Sequence, residues 1–519
     1  MESGLKKILA VAVVMLMLSV GVVVGEANNN DTETNTNPLC AISRVNTVGS
    51  SVFVADSYLT EKGLAPGISL EGIFFEMRDG VAHGINQEKY WDGMVVGTPG
   101  KPTIQHKMIE AFVKDMGMDF AMYVQGADKA PNTVFYDTTL QNAGVWVDSK
   151  YMDAGTVWHP VCGAIEAMDG ERGATRIMSS AQMQPNHACC VIGANSKFIQ
   201  DNRDTAVQYL AAFIMSVDLV NECIKLFVTE ADEHTDAERA EYQTYFDDLM
   251  DVAVKTTKQS ESIIKTAFSE VHYTYGNMKD TIDTPDRPLL SLKKDVYNLA
   301  SAFASDGTFG RSIDSLGFKD MDDYANKFID DSVLAEALAL ADEVRKDTSV
   351  LDRFKNSMSD IKVAAIAGDV HQVALHYGKM LGIFEKFGVN VIVQPSPNGG
   401  GVATSIQNGA ADVGFLGLPP LTLIGVNSGL VINTDADIVG KVTNANGDAL
   451  NNAEIVFTPY DSYSGVARTP VKVMTDENGI YIMKLPVGSV GVLSYGDWSM
   501  DIDRFGGSMT INISLPAEA

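Results

Sequence analysis

Hydrophobic and polar positions recur with two different periods along this chain, and each change of period marks a boundary. Residues 361–366 (IKVAAI) read as a buried strand. Val370, Val373, Ala374, Tyr377, Leu381 and Phe384 then recur at helical spacing over 370–387. Gly388 ends that helix, and 389–393 is a second strand. Asn398, Gly399, Gly400 and Gly401 open a second helix over 402–408, and 412–416 makes a third strand. Gly417, Leu418, Pro419 and Pro420 start a third helix with proline in its first turn. A βαβαβα run with right-handed crossovers predicts a parallel sheet covered by helices. Its loops 367–369, 395–401 and 417–420 then lie together at the carboxyl ends of the strands, the edge where open α/β sheets bind ligands.

A second alternating region spans about 40–225. Strands are expected at 51–55, 94–97, 120–125, 152–158 and 189–194, with a helix running from Lys101 to Met116 and a long one over 202–228. Much of 231–341 is helical in pattern, broken at Pro285 and Pro288, and the polar stretch 342–360 joins it to the first region. Residues 56–93 carry no assignable period. After Asn433 the texture changes to short strand-like runs at 438–443, 453–458, 471–475, 481–485, 490–495 and 509–515, separated by Asn, Asp and Gly turns. That spacing predicts a separate antiparallel β-sandwich.

Composition narrows the classes. The 519 residues are 45% apolar and 20% charged, which excludes wholesale disorder. Thirty-nine basic against 67 acidic residues give a net charge of −28, which argues against nucleic acid and anionic lipid as partners. A pocket's local field can still oppose that charge. At the start, Lys6 and Lys7 precede an apolar run over 8–24 and then Gly25 and Glu26, the pattern of a secretory signal over 1–25 followed by a polar linker over 26–40. An uncleaved anchor is the alternative. No cysteine follows at lipid-anchor distance, so no lipid anchor is expected, and the signal pattern makes the expected location extracytoplasmic: secreted, or on the cell surface in a wall, S-layer or sheath. Asn30 and Asn512 begin glycosylation-type sequons.

Five cysteines (Cys40, Cys162, Cys189, Cys190, Cys223) are an odd number, so at least one is free or pairs between chains. Each is a candidate for a disulfide or crosslink, Cys40 foremost because it adjoins the linker. On a strand, Cys189 and Cys190 face opposite sides, and they read equally as two small core residues. No CxxC zinc spacing and no HExxH pair occurs, so no metal and no cofactor are expected. Without a nucleophile elbow or P-loop, no enzyme is expected either. The acidic pairs Asp322-Asp323 and Asp330-Asp331 read as solvated helix entrances.

Several motifs carry a family resemblance. Asp369, Val370, His371 and Gln372, then Gly378 to Phe384, Pro397 to Gly400, and Ala411 to Pro420 resemble the opening of periplasmic substrate-binding proteins. The branch is the one serving nitrate, sulfonate, taurine and thiamine-precursor ABC importers. Thr98 to Lys101 with Ile104 to His106, Met152 to Pro160, and Val45 to Ser50 resemble the middle of the same family. The stretch 268–338 resembles its C-terminal helices. The family's first third stands here after its last third, which implies a circularly permuted, two-lobed α/β fold of the type II binding-protein class. The implied boundaries are 41–345 for the second lobe and C-terminal helices, 346–360 for the joining segment and 361–432 for the first lobe. Residues 436–517, with Gly440 to Thr443, Gly447 to Leu450 and Thr475 to Tyr481, resemble carboxypeptidase-regulatory, transthyretin-like modules, which are accessory units without peptidase activity.

The resemblance implies a ligand cleft between the lobes. Backbone N–H groups at helix N-termini suit a small oxyanion there, because the macrodipole is positive at that end. Asn398, Gly399 and Gly400, Gly417 and Leu418, and the turn from Thr98 to Lys101 supply such termini. Ser50, Thr98 and Thr103 offer hydroxyls and Lys101 a charge. Trp158 forms a wall, His159 faces the ligand where the family commonly has an acid, and Asp369, His371 and Gln372 point at the cleft mouth. The glycines also read as tight turns, Trp158 as core, His371 as a helix-entry residue and Lys101 as a solvated side chain. The expected function is an exported solute-binding protein that delivers a small anion or organic solute to an ABC permease. The alternative is a structural, self-assembling cell-envelope protein, polymerising through exposed strand edges or cysteine crosslinks. A pyrimidine-synthesis enzyme on the same fold is disfavoured by the signal and by the sparse histidines.

Overall fold

The computed structural model describes residues 39–276, 292–310, 312–316, 318–427, 435–459, 470–486, 491–502 and 509–515. The expected signal, the Asn30 sequon, Pro285 and Pro288 lie outside the described residues. In chain order the first strands are β1 (Leu39–Thr47), β2 (Ser50–Ala55), β3 (Phe75–Arg78), β4 (Val81–Gly84), β5 (Val95–Gly97), β6 (Asp119–Met122) and β7 (Thr133–Asp137). They continue with β8 (Ala154–Trp158), β9 (Ala174–Ser179), β10 (Ala188–Asn195), β11 (His272–Tyr273), β12 (Ser359–Ile366), β13 (Val389–Ser396) and β14 (Val413–Gly417).

Two six-stranded sheets share one plan. In the first, ordered β11-β1-β10-β14-β12-β13, the strands β14, β12 and β13 are parallel, and β10 runs antiparallel between β14 and β1. In the second, ordered β6-β7-β5-β8-β2-β9, the strands β6, β7, β5 and β8 are parallel, and β2 runs antiparallel between β8 and β9. Each antiparallel strand is the one the chain enters on arriving from the other sheet. Val48 and Gly49 carry β1 into β2, and the short helix Ser180–Met183 with the turn after it carries β9 into β10.

Burial explains the layers. Every residue of β1 is buried, with Cys40, Ile42 and Val45 in one core and Leu39 and Ala41 in another, so helices cover both faces of the first sheet. The helix Arg203–Ile224 buries Tyr209, Phe213, Val217 and Val220 against the first of these cores. At roughly 1.5–3 kcal/mol per fully buried large apolar side chain, such a face outweighs the modest propensity of its β-branched residues. The helix Asp236–Thr257 starts at a capping box of Thr235 and Glu238 and ends at Lys258 in the left-handed region. The second sheet has a core of its own, centred on Phe53, Trp91, Val96, Trp146 and Ile165.

Several expectations are adjusted. The helix expected over 370–387 is a 3₁₀ turn, Val370–Gln372, then helices Val373–Met380 and Ile383–Lys386, broken where Gly382 takes φ +66°. The helix expected over 202–228 ends at Ile224 and continues as a π turn, Lys225–Thr229. Residues 56–93, which had no assignable period, hold helices Asp56–Glu61 and Glu88–Trp91 and the β3–β4 hairpin.

The remaining strands are β15 (Asp435–Thr443), β16 (Glu454–Pro459), β17 (Val471–Met474), β18 (Ile480–Pro486), β19 (Gly491–Tyr495), β20 (Trp498–Ile502), β21 (Met509–Thr510) and β22 (Ile513–Ser514). One sheet runs β18-β15-β21, with β22 also on β15, and the other runs β17-β16-β19-β20. Ile438, Val442, Tyr481 and Met483 from the first meet Ile455, Phe457 and Leu493 from the second in one core. Along β18, Ile480, Ile482 and Lys484 face outward, as period two requires.

Candidate functional site

Two cavities border the crossings between the sheets. The larger, about 300 Å³, is lined by Gly49, Ser50, Arg176, Ser180, Glu270 and His272 among others. Its charges are already matched: Arg176 pairs with Glu166 and with Glu270, and the Glu270 carboxylate also accepts a 3.0 Å hydrogen bond from His159 Nε2. Burial alone would raise Glu270, but His159 and Arg176 hold it below the usual carboxylate range. His159 is fully buried, so the expectation that it faces a ligand is corrected: its Nε2 is spent on Glu270. Trp158 ends β8 opposite Ser50, is half-buried, and lines neither cavity.

The second cavity, about 220 Å³, lies between the lobes. The helix Ile104–Asp115, packed on the second sheet through Ile109 and Val113, contributes Ile104, Lys107 and Met108. The core of the first sheet contributes Leu299 and Leu418, and the link into β10 contributes Gln184 and His187. Lys107 is neutralised by Glu110 at 3.1 Å and by Asp306. Asp295, also in the wall, is 3.0 Å from the buried Arg44 and accepts from Ala188 N at 3.2 Å.

With Lys107, Gln184, Asp295 and Asn298, His187 is one of the polar residues lining this cavity. The residue is 1% exposed, and its Nδ1–H donates to Gln184 O at 2.7 Å, which fixes the tautomer and leaves Nε2 as a lone pair. That Nε2 has no hydrogen-bond partner among the described residues. Burial pushes the imidazole down to about 4, so it is neutral at neutral pH and acts as an acceptor. Sequence reasoning missed His187; its one signal was its place at the start of the buried run that forms β10.

The other sequence-derived site residues divide by what already occupies them. Thr98 is buried, its hydroxyl bonded to His106 Nδ1 at 2.9 Å and to Asp137 O at 3.3 Å. Thr103 donates to Gly100 O at 2.7 Å and caps the following helix through His106 N. These hydroxyls close the turn rather than meet a ligand. Lys101 is exposed and stands over the Tyr136 ring at 5.6 Å. Ser50 Oγ accepts from Gln105 Nε2 at 2.9 Å, and its own N–H donates to Ser180 Oγ. Asn398 is exposed and caps its own helix through Gly401 N at 2.9 Å, with Gly399 and Gly400 half-buried beside it. Gly417 ends β14, and Leu418 lines the second cavity.

Asp369, His371 and Gln372 do not reach a cleft mouth, which corrects that expectation. All three are buried beneath the link between β1 and β2. His371 Nε2 is 3.2 Å from Gly49 O, and Asp369 accepts from His371 N and from Gln372 Nε2. The ring comes this close because Gly49 has no side chain; a Cβ there would be 2.6 Å from Nε2.

The cysteines are free thiols, and all five are buried. Cys40, expected to reach outward, sits inside β1 with Sγ 3.8 Å from Ala194 O, so it offers no crosslink from the folded chain. Nor do Cys189 and Cys190 face opposite sides. The register skips Cys189 between the pairs Asn46–Cys190 and Thr47–Ala188, and this bulge turns both side chains into the same core. Their sulfurs and a ring nitrogen of His371 all lie within 4.8 Å of one another. Among the described residues no helix is long and apolar enough to cross a membrane.

No protein-family model and no curated protein matches the chain. Among solved structures it is similar to the crystal structure of the periplasmic nitrate-binding protein NrtA from Synechocystis PCC 6803. The identity is 16%, the alignment covers 60% of this chain and 69% of that one, and the TM-score is 0.32.

Proposed function

We propose that this chain is an extracytoplasmic solute-binding protein that holds a small organic solute between its two lobes and presents it to an ABC permease. The observation that carries this reading is the cavity of about 220 Å³ walled by both lobes, with His187 in its lining and the buried Nε2 of that residue without a hydrogen-bond partner among the described residues. Two sheets joined by two crossings are a hinge-like frame, and domain junctions are where such sites form. Of the two ligand classes expected from the sequence, the organic solute is favoured over the bare oxyanion. The remaining nitrogen of neutral His187, Nε2, can only accept a hydrogen bond, and Lys107 is already matched by two carboxylates. A hydroxyl or amino group on the solute satisfies Nε2, while Leu299, Leu418 and Met108 suit its apolar part.

The late position of β12 to β14 supports circular permutation of the binding-protein order, and the two C-terminal sheets with one core support an accessory sandwich. Thermal scans of the full chain against taurine, ethanesulfonate, hydroxymethyl-pyrimidine, nitrate and bicarbonate test the reading, since a ligand of the native state raises its stability by mass action. A rise with a donor-bearing organic solute and none with nitrate or bicarbonate supports it. A rise with the inorganic anions alone contradicts the ligand class.

One observation favours the self-assembling alternative. The edge strand β18 presents Ile482 at 58% exposure and Ile480 at 40%, an apolar strip on an open edge. Sedimentation distinguishes the readings: a monomer fits solute capture, and large assemblies dispersed by Ile482→Lys fit a polymer.

A further inference from the structure

We propose that Cys189, Cys190 and His371 form a buried binding site for a thiophilic divalent cation, zinc(II) above others. The inference does not rest on the solute-binding reading.

The three ligand atoms all lie within 4.8 Å of one another. Tetrahedral zinc, with bonds of about 2.3 Å to sulfur and about 2.0 Å to nitrogen, holds its ligand atoms roughly 3.5–3.8 Å apart. A contraction of about 1.3 Å at most closes the site, and Cys190 Sγ is already 3.9 Å from His371 Nδ1. The ring is oriented for this role. A carbonyl oxygen only accepts, so the 3.2 Å contact with Gly49 O places the proton on Nε2 and leaves the Nδ1 lone pair facing Cys190. Histidine ligands commonly donate their second nitrogen to such an outer group.

The same tautomer sets a second condition. Asp369 Oδ1 is 3.3 Å from Nδ1, so a lone pair and a carboxylate oxygen face each other in a buried place. Such a pair calls for a proton or a cation between or beside them. Two thiolates and a neutral imidazole cancel a divalent charge, and the Asp369 carboxyl beside Nδ1 is a further oxygen group facing the cation. On binding, each thiol releases its proton to solvent, the cation gains two S–M bonds and one N–M bond, and no oxidant or reductant is needed.

The supports of the site are rigid. Cys190 N donates to Asn46 Oδ1 at 3.2 Å, and Tyr273 OH donates to Val370 O at 2.9 Å beside His371. Soft thiolate ligands select zinc or monovalent copper over magnesium or calcium. Gly49 lies on the link into β2 and the cysteines on the strand after the return link, so an occupied site stiffens the root of both crossings.

The test is cobalt(II) titration of the full chain, reduced with a non-chelating phosphine. The expected result is one equivalent per chain with a thiolate-to-cobalt absorption band that zinc(II) abolishes. The Cys189→Ser/Cys190→Ser double variant loses the band, and Cys223→Ser keeps it. Absence of the band from the wild-type chain, or an undiminished band in a folded double variant, overturns the proposal and leaves the proton as sole occupant. Should the double variant fail to fold, alkylation of the wild-type chain in mild denaturant decides. Zinc(II) is expected to slow modification of Cys189 and Cys190 by about tenfold or more relative to Cys40, Cys162 and Cys223. Equal rates with and without zinc overturn it.

Discussion

The imidazole of His371 donates through Nε2 to the carbonyl of Gly49 at 3.2 Å, tying the turn after β12 to the link between β1 and β2. Gly49 also holds φ +98°, a conformation side chains rarely adopt, and an added Cβ would meet Val271 at 3.0 Å as well as His371 at 2.6 Å. Strain and overpacking therefore act together in Gly49→Ala, with an expected loss of about 2–4 kcal/mol. Urea denaturation checks this through a lower midpoint at unchanged slope. An unchanged midpoint would show that His371 swings away at no cost.

Arg44 and Asp295 form a buried ion pair at 3.0 Å that anchors the helix Leu292–Ser305 to β1. Asp295→Ala leaves the guanidinium charge in the interior and is expected to destabilise by about 3–5 kcal/mol. The double change Arg44→Met/Asp295→Leu removes both charges and is expected to recover most of that loss. Comparing the single and double variants by chemical denaturation measures the asymmetry, and equal losses would contradict it.

Acid destabilisation is expected to begin well above the carboxylate range. His106, among Phe120 and Tyr136, and His187 are each pushed by burial from 6.5 to about 4. The unfolded chain takes up protons as pH falls through 6.5 while the native chain does not, so stability falls between pH 6.5 and about 4. Each residue contributes on the order of 3 kcal/mol to that loss, and neither changes stability above about pH 7.5. Denaturation midpoints of the wild type and of His106→Gln/His187→Gln across this window check the slope, which is shallower in the variant.

At Gly440 a Cβ would stand 1.8 Å from Ile511 O and 2.6 Å from Tyr481 Cε1. Gly440→Ala is expected to part β15 from the C-terminal segment, at about 3 kcal/mol or more. Hydrogen exchange checks it: amides of β15 and β18 lose protection, while those of β1 and β10, which belong to a different core, keep theirs. Uniform loss across all of these strands would contradict that independence.

The strands legible from sequence are those whose partners impose a period. β12, β13 and β14 are buried strands separated by helical spacing, and the strands after 433 alternate between turn residues, so both regions match their expected positions within a few residues, except that β20 was not expected. β7 and β9 were not legible. Their burial depends on distant partners, as where Thr175 meets Asp56 at 2.6 Å. The candidate site divides the same way. Leu418 was found because its strand-to-helix turn is local. His187 was not, because its cavity is assembled from residues as far apart as 104 and 418. A hydroxyl beside a helix start serves equally as a cap, and that is the role Thr103 takes here. The shared face of Cys189 and Cys190 comes from a bulge against β1, more than a hundred residues away in sequence, where strand alternation alone gives the opposite answer.

The central claim is that a small solute occupies the cavity beside His187. Native mass spectrometry of the full chain, mixed with the same five solutes, tests it most directly. A one-to-one complex is expected with a solute bearing a hydroxyl or amino donor, strongly diminished in His187→Leu, which keeps the bulk and removes the acceptor. Capture of nitrate or bicarbonate alone, or a complex equally populated in His187→Leu, would contradict it.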